Sequence, residues 1–478
     1  MLKTKPYDYQ QQGIDVALKY ARFILRVDPG GGKSLMALGV FSVLRERFKD
    51  YFCLILSPKT AVDLTWASED GQVSKHTNFA VCMHKVSTDF DISCLSYNEL
   101  PKHYDDIKKM MAENKVLLIL DEAHILRSED SNISDFLRRF LPKFPRVLAL
   151  TATPLMNHIE DTYFFYNSMF PGYFRTAGDP RGSFETFMST YTVRERRETR
   201  EGRSYIDIIR YKNLGLLHNL IAKTSYNHSI DYKFDFNFVD VVMTPFEEDS
   251  YVRAVDVMLN SSTKETKFMA KLPELQLLTN NAFSFAETLY VKEIALLEKL
   301  AEISARNEAA IVFTFFNKSY RRLQRVLKST KFENVYKMNG QTSLYNRQKM
   351  LDKFAQGDLL LTTAVGSESL NLQEANNLIF YDLPWSLGKF IQACGRIGRV
   401  NSRHLIKRIL VITVKGTIDE YKRLLIQKNL DMVDQIVGGN YTFRSILKQK
   451  GQNAMKLLKK ELLWKIDQRR ALARSAKV

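Results

Sequence analysis

Short apolar runs recur along the chain, each closed by a polar or glycine-bearing segment. They fall at residues 23–27, 52–56, 116–120 and 147–150, and again at 310–315, 335–338, 359–363 and 377–381. Runs this short and this continuous predict strands buried on both faces, as in parallel sheets. Between them lie helical patterns, at 14–18, 35–41 and 320–327. Strands alternating with helices predict parallel sheets with right-handed crossovers. The rhythm breaks between about 170 and 230. There Pro171, Gly172, Gly178, Pro180, Arg181 and Gly182 mark a loop, and residues 194–203, dense in both charge signs, read as a solvated excursion. Alternation in 234–239 suggests a strand, and 245–300 is mainly helical in pattern. In the tail, Leu457, Leu458, Leu462, Leu463 and Ile466 stand at helical spacing opposite Lys and Arg, an amphipathic basic helix. The expected architecture is α/β: a first lobe at 1–170, an insertion and helical linker at 171–300, a second lobe at 301–440, and the basic helix at 441–478.

Composition narrows the partners. Lys and Arg number 70 against 53 Asp and Glu, a net charge of +17 with a pI near 9.4. A polyanion is the natural partner, nucleic acid ahead of a membrane surface. No apolar run approaches the ~18 residues of a membrane span, and the first residues lack a signal-peptide core. Cys53, Cys82, Cys94 and Cys394 show no C-x-x-C spacing, so reduced thiols in a cytoplasmic setting are expected rather than zinc.

The chemistry gathers at the ends of the apolar runs. Asp28-Pro29-Gly30-Gly31-Gly32-Lys33-Ser34 joins a strand to a helix. Its glycines permit backbone N–H groups to cradle phosphates, Lys33 places charge on the β/γ-phosphates, and Ser34 can complete a Mg²⁺ shell. Val27 stands where the full phosphate-loop pattern has its first glycine. Upstream, a glutamine of the run Gln10-Gln11-Gln12 can read an adenine edge, although three adjacent glutamines at a helix start are ordinarily solvated. Asp121-Glu122-Ala123-His124 directly follows the run at 116–120: Asp121 can hold Mg²⁺ and Glu122 can polarise the attacking water. Together these predict ATP hydrolysis. Thr151-Ala152-Thr153-Pro154 ends another strand, its hydroxyls suited either to sensing the γ-phosphate or to capping the next helix. The second lobe lacks a phosphate loop but carries Arg396 and Arg399, expected on one helix face and able to reach phosphates across a cleft.

The chain resembles superfamily 2 helicase-translocases, and within them the SNF2 branch. The resemblance rests on the stretch from Leu150-Thr-Ala-Thr-Pro-Leu-Met-Asn to Pro171-Gly172-Tyr173-Phe174, and on Asn339-Gly340-Gln341-Thr342-Ser343, Asn371-Leu372, Tyr381-Asp382-Leu383-Pro384-Trp385 and Lys415-Gly416-Thr417-Ile418-Asp419-Glu420. It covers roughly residues 5–425. It implies two RecA-like lobes, ATP and Mg²⁺ as cofactors, and the ATP site of Gln10, Gly30, Gly31, Gly32, Lys33 and Ser34 with Asp121 and Glu122. It makes Arg396 and Arg399 the arginine fingers. It sets Pro58, Lys59, Thr60, Ser96, Tyr97, Asn339, Gly340, Thr363 and Gly366 along a DNA backbone. Glu368-Ser369 and Arg399-Val400-Asn401 depart from the usual pattern. Among SNF2 proteins the chain is similar to compact fork-remodelling, branch-migrating translocases of viral or bacterial type, monomeric when free and acting on duplex and branched DNA without sequence preference. Two other readings remain at this stage: ATP-driven removal of bound proteins or transcription complexes from DNA, and an inactive DNA clamp, which intact Lys33, Glu122 and Arg399 disfavour.

Overall fold

The computed structural model describes residues 1–28, 30–127, 132–151, 159–198, 204–228, 233–260, 265–283, 288–363, 372–398 and 406–437. The chain divides into two compact units, Met1–Ile230 and Asp231–Asp431.

In the first unit the apolar runs become strands β1 (Arg22–Val27), β2 (Tyr51–Ser57), β3 (Val81–Met83), β4 (Ile92–Ser96), β5 (Lys115–Leu120) and β6 (Arg146–Thr151). A hairpin of β7 (Thr192–Glu198) and β8 (Ser204–Tyr211) stands apart, and β9 (Ser225–His228) rejoins the sheet. The order is β3-β4-β2-β5-β6-β1-β9, every pairing parallel. Five successive residues of β5 and of β6 are buried, as continuous apolar sequence requires when helices cover both faces. Parallel strands bring their carboxyl ends to one edge, where ligands of such sheets bind. The residues following β1, β2, β4 and β5 are therefore neighbours along one rim.

The second unit holds β10 (Lys233–Val241), β11 (Ala310–Thr314), β12 (Val335–Met338), β13 (Leu359–Thr363), β14 (Asn377–Phe380) and β15 (Ile406–Val414), in the order β10-β15-β14-β11-β13-β12, again all parallel. Two parallel sheets flanked by helices are the α/β lobes that the patterning predicts, and agree with the two RecA-like lobes that the resemblance implies.

The stretch at 171–300 is not a single insertion. β9 completes the first sheet beside β1, while β10 pairs along nine residues with β15 in the second. The helices Pro245–Asn260, Glu265–Thr279 and Val291–Ala305 also belong to the second unit. The charge-dense 194–198 is strand in the antiparallel β7–β8 hairpin, with Glu195, Arg196 and Glu198 exposed as a solvated excursion requires. Its cross-strand partners, not burial, fix it, which is why apolar periodicity misses it. The basic tail helix lies outside the described residues. Among these, no helix is long and apolar enough to cross a membrane.

Candidate active site

The turn after β1 is shaped by glycine. Gly30 and Gly32 adopt φ of +81° and +79°, a region open to glycine and costly for other residues. Gly32 caps the helix Lys33–Arg47, so the turn delivers the chain into a helix start, where free N–H groups favour an anion. A Cβ on Gly32 would stand 2.2 Å from the Gln10 amide nitrogen. The loop and Gln10 are therefore built against each other: Gln10 is buried and donates to the Gly31 carbonyl at 3.1 Å. Its own carbonyl accepts from the Tyr7 amide at 2.9 Å. Tyr9 also donates to Gly31, at 3.0 Å, and its ring stacks on His228 with centroids 3.8 Å apart. From β9, Tyr226 donates to the Tyr9 carbonyl at 2.7 Å, and the Asp28 amide donates to the His228 carbonyl. The helix carrying Gln10 packs tightly on the helix after the loop, since a Cβ on Gly13 would lie 2.0 Å from the Met36 methyl. Lys33 folds over the turn, its ammonium donating to the carbonyls of Val27 (2.7 Å) and Asp28 (3.1 Å).

Asp121 emerges from β5 on the same rim. One carboxylate oxygen accepts from Ser57 and from the Trp66 indole, both at 2.8 Å, and the other accepts from the Glu122 amide at 3.0 Å. Burial pushes this carboxyl above the usual range and Glu122 adds to the push, while the Trp66 and Ser57 hydrogen bonds and the Lys33 charge oppose it. Lys33 and Asp121 thus share one electrostatic site. Glu122 holds φ +48°, strained backbone of the kind found at active centres, and pairs with the His124 imidazole at 3.2 Å. Glycines whose Cβ space is taken, an amine, a hydroxyl at the helix start and a caged carboxylate fit a magnesium nucleotide: Ser34 and Asp121 supply the hard oxygen donors, and Lys33 the cation.

The residues expected along DNA divide. Pro58 and Lys59 are exposed and Thr60 half-buried, at the rim after β2. Ser96 and Tyr97 face inward instead. Ser96 donates through both its amide and hydroxyl to Glu99, and buried Tyr97 donates its hydroxyl to the Asp121 carbonyl at 2.6 Å. As they stand they offer no donor to a phosphate, because Glu99 and the Asp121 backbone consume them. In the second unit Asn339 and Gly340 form a turn closed by Thr342 and clamped by Arg347, which donates to the Thr342, Asn339 and Gly340 carbonyls. Thr363 is buried at the end of β13. Arg396 is half-buried in a turn, not on a helix: the helix Leu387–Cys394 stops with Gly395 as its C-cap. Gly395 itself keeps right-handed backbone (φ −64°) and Arg396 follows the helix end, so the one-face argument for the two arginines does not hold for Arg396. Arg399, Gly366, Thr153, Pro154 and the Glu368-Ser369 departure lie outside the described residues.

Trp66, Tyr9, Tyr226, His228 and Arg347 escape sequence reading as site residues. Each acts through a hydrogen bond or ring stack at a distance in sequence that no spacing rule encodes. Trp66 owes its reach to a π-helical turn, Val62–Trp66, in which the Ala67 amide bonds back to Val62 at 3.3 Å.

Residues 9–281 match the SNF2-related domain, and residues 292–401 match the helicase conserved C-terminal domain. The chain is 23% identical to the ISWI chromatin-remodeling complex ATPase ISW1 of Saccharomyces cerevisiae, over 90% of this chain and 40% of that protein. It is also 23% identical to the putative ATP-dependent helicase/translocase YwqA of Bacillus subtilis, over 90% and 48%. The chain thus spans about half or less of the length of these curated relatives. The Sulfolobus solfataricus SWI2/SNF2 ATPase core, solved in complex with dsDNA, matches at 19% identity with a TM-score of 0.41, over 92% of this chain and 94% of that one. With a phosphate loop, a paired Asp-Glu rim and a domain match across more than half its length, the chain belongs to the SNF2-related family.

Proposed function

We propose that the chain is a DNA-dependent ATPase that translocates on duplex DNA and remodels branched DNA by branch migration. The observation that carries the ATPase is the shared rim: Gly30–Ser34 after β1, and Asp121 with Glu122 after β5, with the Lys33 charge felt at Asp121. To orient the adenine Gln10 gives up its bonds to the Tyr7 amide and the Gly31 carbonyl, while the loop amides with Lys33 hold the phosphates. Ser34 and Asp121 would hold a Mg²⁺, which would neutralise phosphate charge. Glu122 takes the proton of the attacking water, the role that a carboxylate beside the metal-binding Asp supports. Arg396 and Arg399 are assigned as arginine fingers that stabilise charge developing on the γ-phosphate.

DNA as the partner is supported by the net charge of +17 and by exposed Lys59 on the rim beside the ATP residues. Family membership supports movement along a duplex. Branch migration rests on the resemblance to compact fork-remodelling members. ATP turnover on single-stranded, duplex, forked and four-way-junction DNA tests the reading. Stimulation by duplex, with ATP-dependent resolution of forks and junctions, is expected. Stimulation without any strand rearrangement, together with release of a protein roadblock from duplex, would replace branch migration by protein displacement.

A further inference from the structure

His84 lies outside every motif named above, yet it occupies a demanding position. Its backbone φ is +57°, the left-handed region where a branched or bulky side chain is strained. One ring nitrogen lies 2.7 Å from a Glu99 carboxylate oxygen, the other 2.7 Å from an Asp63 oxygen. Ionised carboxylates only accept, so an imidazole held at both nitrogens this way must carry both protons and a positive charge. The other groups agree. The Glu99 hydrogen bond raises His84 above its ordinary pKa against opposing burial, with Asp63 adding to the rise. Burial works against the Glu99 charge, but the Ser96 and His84 hydrogen bonds outweigh it and hold that carboxyl at about 2. Asp63 and Glu99 are the charged groups facing His84, and Lys59 reaches Asp63 from its other side at 3.5 Å.

What these partners hold matters more than the pair itself. Asp63 lies in the π-helical turn that follows Pro58-Lys59-Thr60, and that same turn presents Trp66 to Asp121. Glu99 grips Ser96, and the next residue, Tyr97, donates to the Asp121 carbonyl. Two arms therefore run from His84 to Asp121, one through Asp63 and Trp66, the other through Glu99, Ser96 and Tyr97. Exposed Lys59 is tied to the first arm through Asp63.

We propose that His84 is a positioning residue that ties the Lys59 segment and the Ser96–Tyr97 segment to each other, so that a DNA phosphate engaging Lys59 acts on the placement of Asp121. When a phosphate draws Lys59 away from Asp63, the Asp63 carboxylate is left to the His84 imidazolium alone, and the change is passed along the turn to Trp66 and through Glu99 to Tyr97, the two donors on Asp121. Without the histidinium, the Lys59 segment and the ATP rim respond separately. The inference rests on the DNA-dependent ATPase reading.

The test is ATP turnover with and without duplex DNA, across about pH 6–9, for the unaltered chain and for His84→Asn and His84→Arg. Asn tolerates the left-handed backbone but cannot bridge two carboxylates. Arg carries a fixed charge and can donate to both. His84→Asn should keep basal turnover and lose DNA stimulation on the order of tenfold, the rate equivalent of one charge-assisted hydrogen bond. In the unaltered protein, stimulation should decline as pH rises past about 6.5 and through the raised pKa of His84, where the imidazolium is lost. His84→Arg should hold stimulation flat across that range. Normal stimulation in His84→Asn, or a pH decline in His84→Arg matching that of the unaltered protein, would overturn the proposal. His84→Arg decides the matter alone if His84→Asn does not fold. Absence of DNA stimulation in the unaltered protein would instead remove the reading beneath it.

Discussion

The second unit is held by a buried ionic cluster whose disruption has a calculable cost. Lys292, from the helix Val291–Ala305, is fully buried and donates to Asp419 at 2.6 Å, Asp419 being 3% exposed. Lys292 also donates to the Asn280 side chain at 2.8 Å and lies 5.0 Å over the Tyr381 ring. Asp419 accepts in addition from Gln276 and from the Val414 amide. With Lys422 and Asp382 nearby, two ammonium and two carboxyl groups share the space; Asp382 accepts from Asn280 and Thr314 and from the Phe315 amide. Asp419→Asn leaves two buried ammonium groups, Lys292 and Lys422, with the single carboxyl of Asp382 and takes away the direct partner of Lys292, a charge imbalance that costs about 3–5 kcal/mol. Lys292→Met leaves the Asp419 charge, but Gln276 and the amide still bond it and Lys422 still attracts it, so the loss should sit at the lower end of that range. Replacing both by apolar residues of similar volume should recover most of it. Amide hydrogen exchange reads this locally. Protection of β11 and β14 should fall between about a hundredfold and a few thousandfold in Asp419→Asn near neutral pH, with β5 of the other unit as reference. A fall of less than tenfold would mean that the pair contributes no more than a surface ion pair, and would refute the reasoning.

Two further outcomes follow from charge. Burial draws Lys422 down to about 8, against the pull of Asp382 and Asp419. The unfolded chain keeps that proton to about pH 10.4, so between these values it binds more protons than the folded chain and stability rises with pH. Protection of second-unit amides, corrected for intrinsic exchange, should therefore increase from about pH 8 to 10, and less so in Lys422→Met; a decrease would reverse the sign of the argument. DNA affinity should fall steeply with salt, with a log–log slope of roughly −5 if about six phosphates are neutralised, and should vary little with sequence; a flat response would point to base readout.

Much of the frame was legible because burial on both faces leaves a continuous apolar signature. Residues 52–56, 116–120, 310–314 and 359–363 fall in strands for that reason. The phosphate loop and Asp121-Glu122 were legible because strand ends of a parallel sheet face one edge, so sequence position fixes the rim they share. β9 was not legible: Ser225-Tyr226-Asn227-His228 is short and polar, and it becomes a strand through pairing with β1 and through the Tyr9–His228 stack. The alternation of Phe234, Phe236 and Phe238 identified a half-buried strand, but not which sheet it would border. The family resemblance sets Ser96 and Tyr97 along a DNA backbone, whereas their side chains turn inward. Their inward turn depends on Glu99 and His84, and a strained histidine held by two distant carboxylates leaves no periodic trace.

The central claim is that Glu122 acts on water while Lys33 and the loop bind the nucleotide, in an ATPase that DNA stimulates. Measuring ATP affinity and turnover for the unaltered protein and for Glu122→Gln, with and without duplex DNA, addresses it most directly. The account predicts DNA stimulation in the unaltered protein, near-normal ATP affinity in Glu122→Gln, and turnover lowered by on the order of 10²-fold or more. Turnover close to that of the unaltered protein, with DNA present and nucleotide bound, would contradict it.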